Sequence, residues 1–225
     1  MVWQRRRSKD DRSSDALRHF DGRSCVRLLD ERDGVQFLER VQPGTPLDDR
    51  TDDAAIRLGE VAAALHSCGL PKGEWPTVES WGASFGQYRA AGHVALGAAL
   101  VDRADRLYRD LAASQGSRVL LHGDLHPQNV LFDETRGWLA IDPKGVIGEP
   151  PYEFGAALRN LGSTSVVDRW SRVIAERLGL DRERIMGWAF AQAVLAAIWS
   201  IEDGQNPAWA IAAAESISVG LGRAT

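Results

Sequence analysis

Lysine is almost missing from this chain of 225 residues: Lys9, Lys72 and Lys144 stand against 24 arginines, a bias that often accompanies GC-rich coding. A net charge of −4 argues against a nucleic-acid binder, whose partner's phosphates demand a basic face, and the run Arg5 to Arg7 reads as a solvated tail. Cysteine is scarce too, Cys25 and Cys68 alone, with no CxxC and no His-spaced cluster, so two free thiols are expected and neither a disulfide nor a zinc site. No uninterrupted apolar run reaches the roughly 18 residues that span a bilayer, and the charged start carries no apolar segment of a signal peptide. The expectation is a cytoplasmic protein with no membrane partner. A hydrophobic fraction of 44% with 26% charge describes an ordinary globular chain, long enough to bury a substantial core.

What the chain does have is concentrated between Leu120 and Gly148, LLHGDLHPQNVLFDETRGWLAIDPKGVIG. Asp124 and Asn129 fall in the loop after an apolar strand, and Asp142 ends a second apolar strand. NVLF, the turn residues DETRG and WLAID read as a hairpin that carries Asn129 and Asp142 to one end of paired strands. The chemistry that suits this set is phosphoryl transfer, where catalysis rests on orienting a hydroxyl and holding Mg²⁺ against phosphate oxygens. An Asp in a loop can accept the hydroxyl proton. An amide oxygen and a carboxylate, both hard ligands, suit Mg²⁺, which takes few protein groups. A single Asp, Asn or His in a loop is more often a turn former or a cap. The spacing of the three reverses that reading for Asp124, Asn129 and Asp142.

The stretch resembles the catalytic and metal-binding loops of protein-kinase-like enzymes, His-x-Asp-x-x-x-x-Asn followed by a metal-binding Asp. HGDLHPQN, with Gly123 where protein kinases carry Arg, is similar to the small-molecule branch of aminoglycoside, choline and homoserine kinases. IDPKGVIGEPPYEFG resembles the streptomycin 6-kinase type of aminoglycoside phosphotransferase, a family also linked to hydroxyurea resistance. The likeness continues through ERVQPGTPL near residue 40 and through GLDRERIMGWAFAQAVLAAIWSIEDG to Gly204. It implies an ATP-dependent kinase of a small-molecule hydroxyl, most plausibly on streptomycin, with Asp124 as base and Asn129 and Asp142 on Mg²⁺. His122 is expected to support the loop. His126 stands where protein kinases place a phosphate-contacting Lys, with a plain loop contact as the equal alternative. Lys144 either neutralises phosphate or pairs with Glu149 or Glu153. Glu39, Arg40 and Val41 would form the hinge whose backbone meets adenine. A cationic substrate calls for an acidic pocket, with Glu149, Glu153, Glu202 and Asp203 as candidates. The alternatives are a kinase of another small molecule, such as hydroxyurea or an amino alcohol, and a non-catalytic remnant that captures drug or metal.

Two features of such enzymes are not visible before residue 120: a Gly-x-Gly-x-x-Gly loop, and a strand Lys, since Lys9 lies in the polar run RRRSKDDRSS. The chain is therefore expected to begin partway through a nucleotide lobe, through a miscalled start, a natural truncation or degeneration, and to turn over weakly. The expected fold is α+β and protein-kinase-like: a polar tail over 1–12 that is no strand, a partial N-terminal β lobe over 13–41, and a mostly helical lobe with the catalytic hairpin over 42–225. Within it, SSDALRHF reads as a helix, CVRLL and VQFLER as strands across the turn DERDG, and helices follow from a Thr51 cap to Ser67 and over about 94–113. Beyond the hairpin, helices are expected at 151–161, 165–179, 182–202 and 206–221. The apolar run WAFAQAVLAAIWS lies at the centre, with Trp188 and Trp199 as packing residues.

Overall fold

The computed structural model describes residues 2–5, 12–51 and 53–221, with the backbone alone for 2–5. In chain order the elements are β1 (Val2–Arg5), α1 (Ser13–Phe20), β2 (Leu28–Arg32), β3 (Val35–Leu38), β4 (Pro43–Pro46), α2 (Ala54–His66), α3 (Val78–Ala90), α4 (Ala98–Ala113), β5 (Val119–Leu121), β6 (Val130–Asp133), β7 (Gly137–Ala140), β8 (Val146–Gly148), α5 (Pro150–Arg159), α6 (Thr164–Leu178), α7 (Arg182–Glu202) and α8 (Ala208–Leu221). The α+β expectation holds. The chain divides into two compact units, residues 1–75 with 117–153, and residues 76–116 with 154–225, so the hairpin is grouped with the front strands and α2 instead of with the later helices.

In the first unit, β3 lies between β1 and β2 in an antiparallel sheet. The strand β1 corrects the expectation of a polar tail without a strand: Val2 to Arg5 pair with Leu38 to Val35. Lys9 lies outside the described residues. Asp33 and Gly34 turn the β2–β3 hairpin with φ of 52° and 74°, the left-handed pair that matches strand twist. The first strand sits three residues later than CVRLL, at Leu28–Arg32, because pairing with β3 continues through polar residues up to that turn. The helix α1 buries Ala16, Leu17 and Phe20 and packs on β2. Gln36, buried on β3, donates to the hydroxyls of Ser13 (2.6 Å) and Ser14 (2.8 Å), so a polar side chain in the core is satisfied at the start of the helix.

The hairpin forms as read, β6 pairing β7 with Val130 opposite Ala140, and β4 adds a third strand along β6. Its turn is closed by Asp133, whose carboxylate accepts from Thr135 N and Oγ1 and from Arg136 N, and also from Gln42 N at 3.0 Å. These bonds, led by the Thr135 hydroxyl, hold the Asp133 carboxyl well below the usual carboxylate range. The turn's Arg136 reaches back to the Glu39 carboxylate and to the carbonyls of Gly22 and Cys25. The segment before β2 is bound to β7 by Val26 N to Ala140 O and Ala140 N to Ser24 O. Cys25, on that junction, is fully buried, and burial pushes its thiol up to about 12; both cysteines are free, Cys68 half-buried. The helix α2 packs on β5 and β7, and β5 pairs antiparallel with β8. Thr51 does not cap α2: its hydroxyl donates to Asp48 O at 2.8 Å and the helix starts at Ala54.

In the second unit α7 is the central element, packed by α3, α4, α6 and α8. It is long and apolar enough to cross a membrane by length and composition, and 83% of its apolar window is buried. Trp188 is fully buried, edge-on to Tyr108 at 5.0 Å; Tyr108 in turn meets Phe85 at 5.6 Å and donates to Val78 O. Trp199 donates to Ser84 Oγ at 3.0 Å and stands edge-on to Trp81. α7 begins at an Asp181 cap that accepts from Glu183 N and Arg184 N.

Candidate active site

The loop that carries the site runs from β5 into β6 across a 3₁₀ turn at Pro127–Asn129. Its first residue, His122, is fully buried, and burial lowers its tendency to take a proton against the pull of Glu153, so the ring is neutral. Its hydrogen bonds fix the tautomer: Nε2 donates to Ile141 O at 2.8 Å, and Nδ1 accepts from Asp124 N at 3.2 Å. The His122 carbonyl accepts from both Lys144 N (2.7 Å) and Gly145 N (3.2 Å). One imidazole and its own peptide thus connect the Asp124 loop to the segment that bears Asp142.

Asn129 is held the same way. Its Nδ2 donates to Asp124 O at 2.9 Å, which leaves Oδ1 as the end able to meet a cation. Its carbonyl accepts from Ile141 N at 2.9 Å, extending the β6–β7 ladder to the residue before Asp142. Asp142 takes a left-handed conformation, φ 56°, and its Oδ2 accepts from Lys144 Nζ at 2.7 Å. Both side chains stay partly open, at 22% and 29% exposure, as do Asp124 at 23% and His126 at 19%. His126 Nδ1 contacts Gln128 Oε1 at 2.9 Å, and its Nε2 lies 3.8 Å from Asp124 Oδ2. The backbone bonds therefore bring Asp124, Asn129 and Asp142 onto one connected node of the first unit.

Two expectations change here. Glu153, a candidate for the substrate pocket, is buried with its side chain at 0% exposure. Its Oε2 accepts from His122 N at 2.7 Å and from His66 Nε2 at 3.3 Å, and its Oε1 accepts from Gly123 N at 2.9 Å. Burial pushes its carboxyl up, but the hydrogen bonds from His66 and from the Gly123 N–H outweigh it and hold Glu153 below its ordinary value. Its carboxylate is used to hold the start of the Asp124 loop. Glu149 is buried as well, just before α5, and Lys144 pairs with neither glutamate. His66, at the end of α2, was not singled out by sequence. The usable signal was Glu153 itself, a lone acid in the apolar stretch PPYEFGAAL, which must find partners when buried.

In the hinge segment, Glu39 N donates to Arg27 O at 3.0 Å, while its carboxylate accepts from Arg27 N and pairs with Arg136. Arg40 is exposed and Val41 half-buried. Glu202 and Asp203 belong to the second unit, exposed at the C-terminal end of α7. Among the described residues no group of three or more His, Cys, Asp or Glu could hold a metal by itself. A carboxylate and an amide oxygen are nevertheless the donor set for Mg²⁺ that arrives with phosphate oxygens, and Asp142 Oδ2 already faces a cation in Lys144.

Comparison with known proteins identifies the family and the fold. Residues 1–204 match the family described as aminoglycoside/hydroxyurea antibiotic resistance kinase, and the chain belongs to that family. Among curated relatives, hydroxyurea phosphotransferase of Kitasatospora aureofaciens is 38% identical across 93% of the chain, and streptomycin 6-kinase of Streptomyces glaucescens is 34% identical across 84%. The chain spans 64% and 66% of their respective lengths. Among solved structures, a choline/ethanolamine kinase family protein from Mesorhizobium loti superposes with a TM-score of 0.70 at 14% identity, covering 95% of this chain and 78% of that one. A thermostable mutant of aminoglycoside phosphotransferase APH(4)-Ia, in ternary complex with ADP and hygromycin B, gives 0.67 at 19% identity, covering 95% and 83%. The fold is the protein-kinase-like fold of these enzymes.

Proposed function

We propose that this chain transfers the γ-phosphoryl group of ATP to a hydroxyl of an aminoglycoside, with streptomycin the leading substrate, and so inactivates the drug. The observation that carries the reading is the connected node of Asp124, Asn129 and Asp142, fixed through neutral His122, in a member of this family. Asp124 orients the substrate hydroxyl and takes its proton as the oxygen bonds to the γ-phosphorus and the bond to the β–γ bridging oxygen breaks, releasing ADP. Asn129 Oδ1 and the Asp142 carboxylate would hold Mg²⁺, which, when bound, neutralises charge on the phosphate oxygens. His126, hydrogen-bonded to Gln128 within its own loop, is assigned as a donor to the transferred group. The hinge backbone at Glu39, Arg40 and Val41 is assigned to adenine. As a user of ATP the protein is assigned to the cytoplasm. A second reading, hydroxyurea as acceptor, has a specific basis in the 38% identity to a hydroxyurea phosphotransferase.

The test is phosphate transfer by the purified chain with Mg-ATP and, separately, streptomycin and hydroxyurea, beside Asp124→Asn. Loss of a positioned base predicts a fall of roughly 10² to 10⁴ in turnover. Equal transfer by the two proteins would refute the assignment of Asp124, and the preferred acceptor decides between the two substrates.

A further inference from the structure

The loop IDPKG places an ammonium against the carboxylate assigned to the metal. Lys144 Nζ donates to Asp142 Oδ2 at 2.7 Å although the two residues are separated only by Pro143. The backbone on both sides leaves Lys144 little choice of position. Asp142 is left-handed, Pro143 has a fixed φ, and Lys144 N and Gly145 N share the His122 carbonyl. Gly145, at φ 72°, is pressed so closely that a Cβ would lie 2.8 Å from the Trp75 ring and 3.1 Å from Ala16 Cβ. The glutamates that follow in sequence do not take the ammonium, Glu153 being occupied by backbone N–H groups and His66. The one other described lysine, Lys72, is exposed in a loop.

We propose that Lys144 is a positioning residue that exchanges partners: it holds the Asp142 carboxylate in the nucleotide-free protein and moves to a phosphate oxygen when a divalent ion and nucleotide arrive. The proposal rests on the reading of Asp142 as metal ligand. The physics is charge exclusion. An ammonium 2.7 Å from a carboxylate oxygen and a divalent ion on the same carboxylate repel each other, so the metal alone must compete with Lys144. Metal that comes with a triphosphate brings negative oxygens into reach of the same ammonium, which then stabilises the loaded state. The exchange disfavours loading by free metal and favours the metal–nucleotide pair.

The experiment measures two affinities on the full chain: Mn²⁺ alone by electron paramagnetic resonance, and AMP-PNP with Mg²⁺ by calorimetry. The exchange predicts opposite shifts in Lys144→Met, with Mn²⁺ bound roughly tenfold tighter and Mg-AMP-PNP roughly tenfold weaker, magnitudes ordinary for one neighbouring charge. Lys144→Arg, which keeps the charge, returns both towards wild type. Shifts in the same direction, or none, overturn the exchange, since a merely structural lysine would weaken both or neither. Lys144→Gln carries the same pair of measurements should the Met variant not fold. Asp142→Asn separates the two readings: if it binds Mn²⁺ as wild type does, the metal assignment falls and the exchange with it; if it does not, a null result for Lys144→Met counts against the exchange alone.

Discussion

Replacing Glu153 with alanine removes one carboxylate and leaves three donors facing the space it filled: His122 N, Gly123 N and His66 Nε2. The two backbone N–H groups cannot turn elsewhere, because the strand β5 ahead of them is paired with β8. Each buried donor left without an acceptor costs about 1 to 3 kcal/mol. His66 can rotate or change tautomer and adds less. The sum, about 3 to 5 kcal/mol, matches what removal of one partner of a buried charged pair costs. At a urea slope of about 1 to 3 kcal/mol per molar, the unfolding midpoint of the first unit should fall by about 2 M. Trp75 and Trp138 lie in that unit, so fluorescence during urea titration reads it. Glu153→Gln keeps one acceptor oxygen and points an amide NH₂ at the other donors, and should lie between wild type and alanine. The Asp124 loop should loosen in parallel, read as faster amide hydrogen exchange at residues 122 to 125. A midpoint shift in Glu153→Ala below about 0.3 M, a surface-like effect, would refute the reasoning.

The other expectations follow from single contacts. Glu153 is held below its ordinary 4.5 and His122 below its ordinary 6.5, so in both cases the unfolded chain binds protons first as pH falls. Stability is therefore full above about 6.5, declines below it through His122 and again below about 4.5 through Glu153; urea midpoints across the acid range that rise on acidification would contradict this. Gly145→Ala forces a Cβ at φ 72° into the Trp75 ring and should cost about 2 to 4 kcal/mol in thermal or urea unfolding. Asp181→Ala strips the α7 cap of its two N–H partners and should cost about 1 kcal/mol, with Asp181→Asn near neutral.

The elements that periodicity and turn chemistry define were legible in the sequence. SSDALRHF is a helix over the expected residues, NVLF–DETRG–WLAID is the hairpin, and the apolar run of α7 is buried. The misses have physical causes. The helix α3 buries only Val78, Phe85 and Tyr88 and carries Gly82 and Gly86 in its interior, so neither propensity nor an apolar stripe announces it. Gly82 is required by packing, since a Cβ there would lie 2.7 Å from the Tyr108 ring, and the signal that was present is the capping box of Thr77 and Ser80. The strands β4 and β8 are short and rich in Pro or Gly, and exist because a partner strand offers hydrogen bonds, which no local pattern encodes. At the site, the spacing of Asp124, Asn129 and Asp142 is visible in the sequence. Glu153 and His66 were not given their role, because support by a side chain 30 residues away in sequence leaves no local signature.

Arg136 gives the DETRG turn a significance that connecting loops usually lack. Its guanidinium reaches carbonyls at Gly22 and Cys25, more than a hundred positions earlier in the chain, as well as the acid at Glu39. A shorter, generic hairpin connection grafted in its place would preserve the ladder of β6 and β7 yet release the segment that leads into β2. Circular permutation or peptide insertion between Thr135 and Gly137, ordinarily a tolerant location, would for the same reason disturb the hinge assigned to adenine.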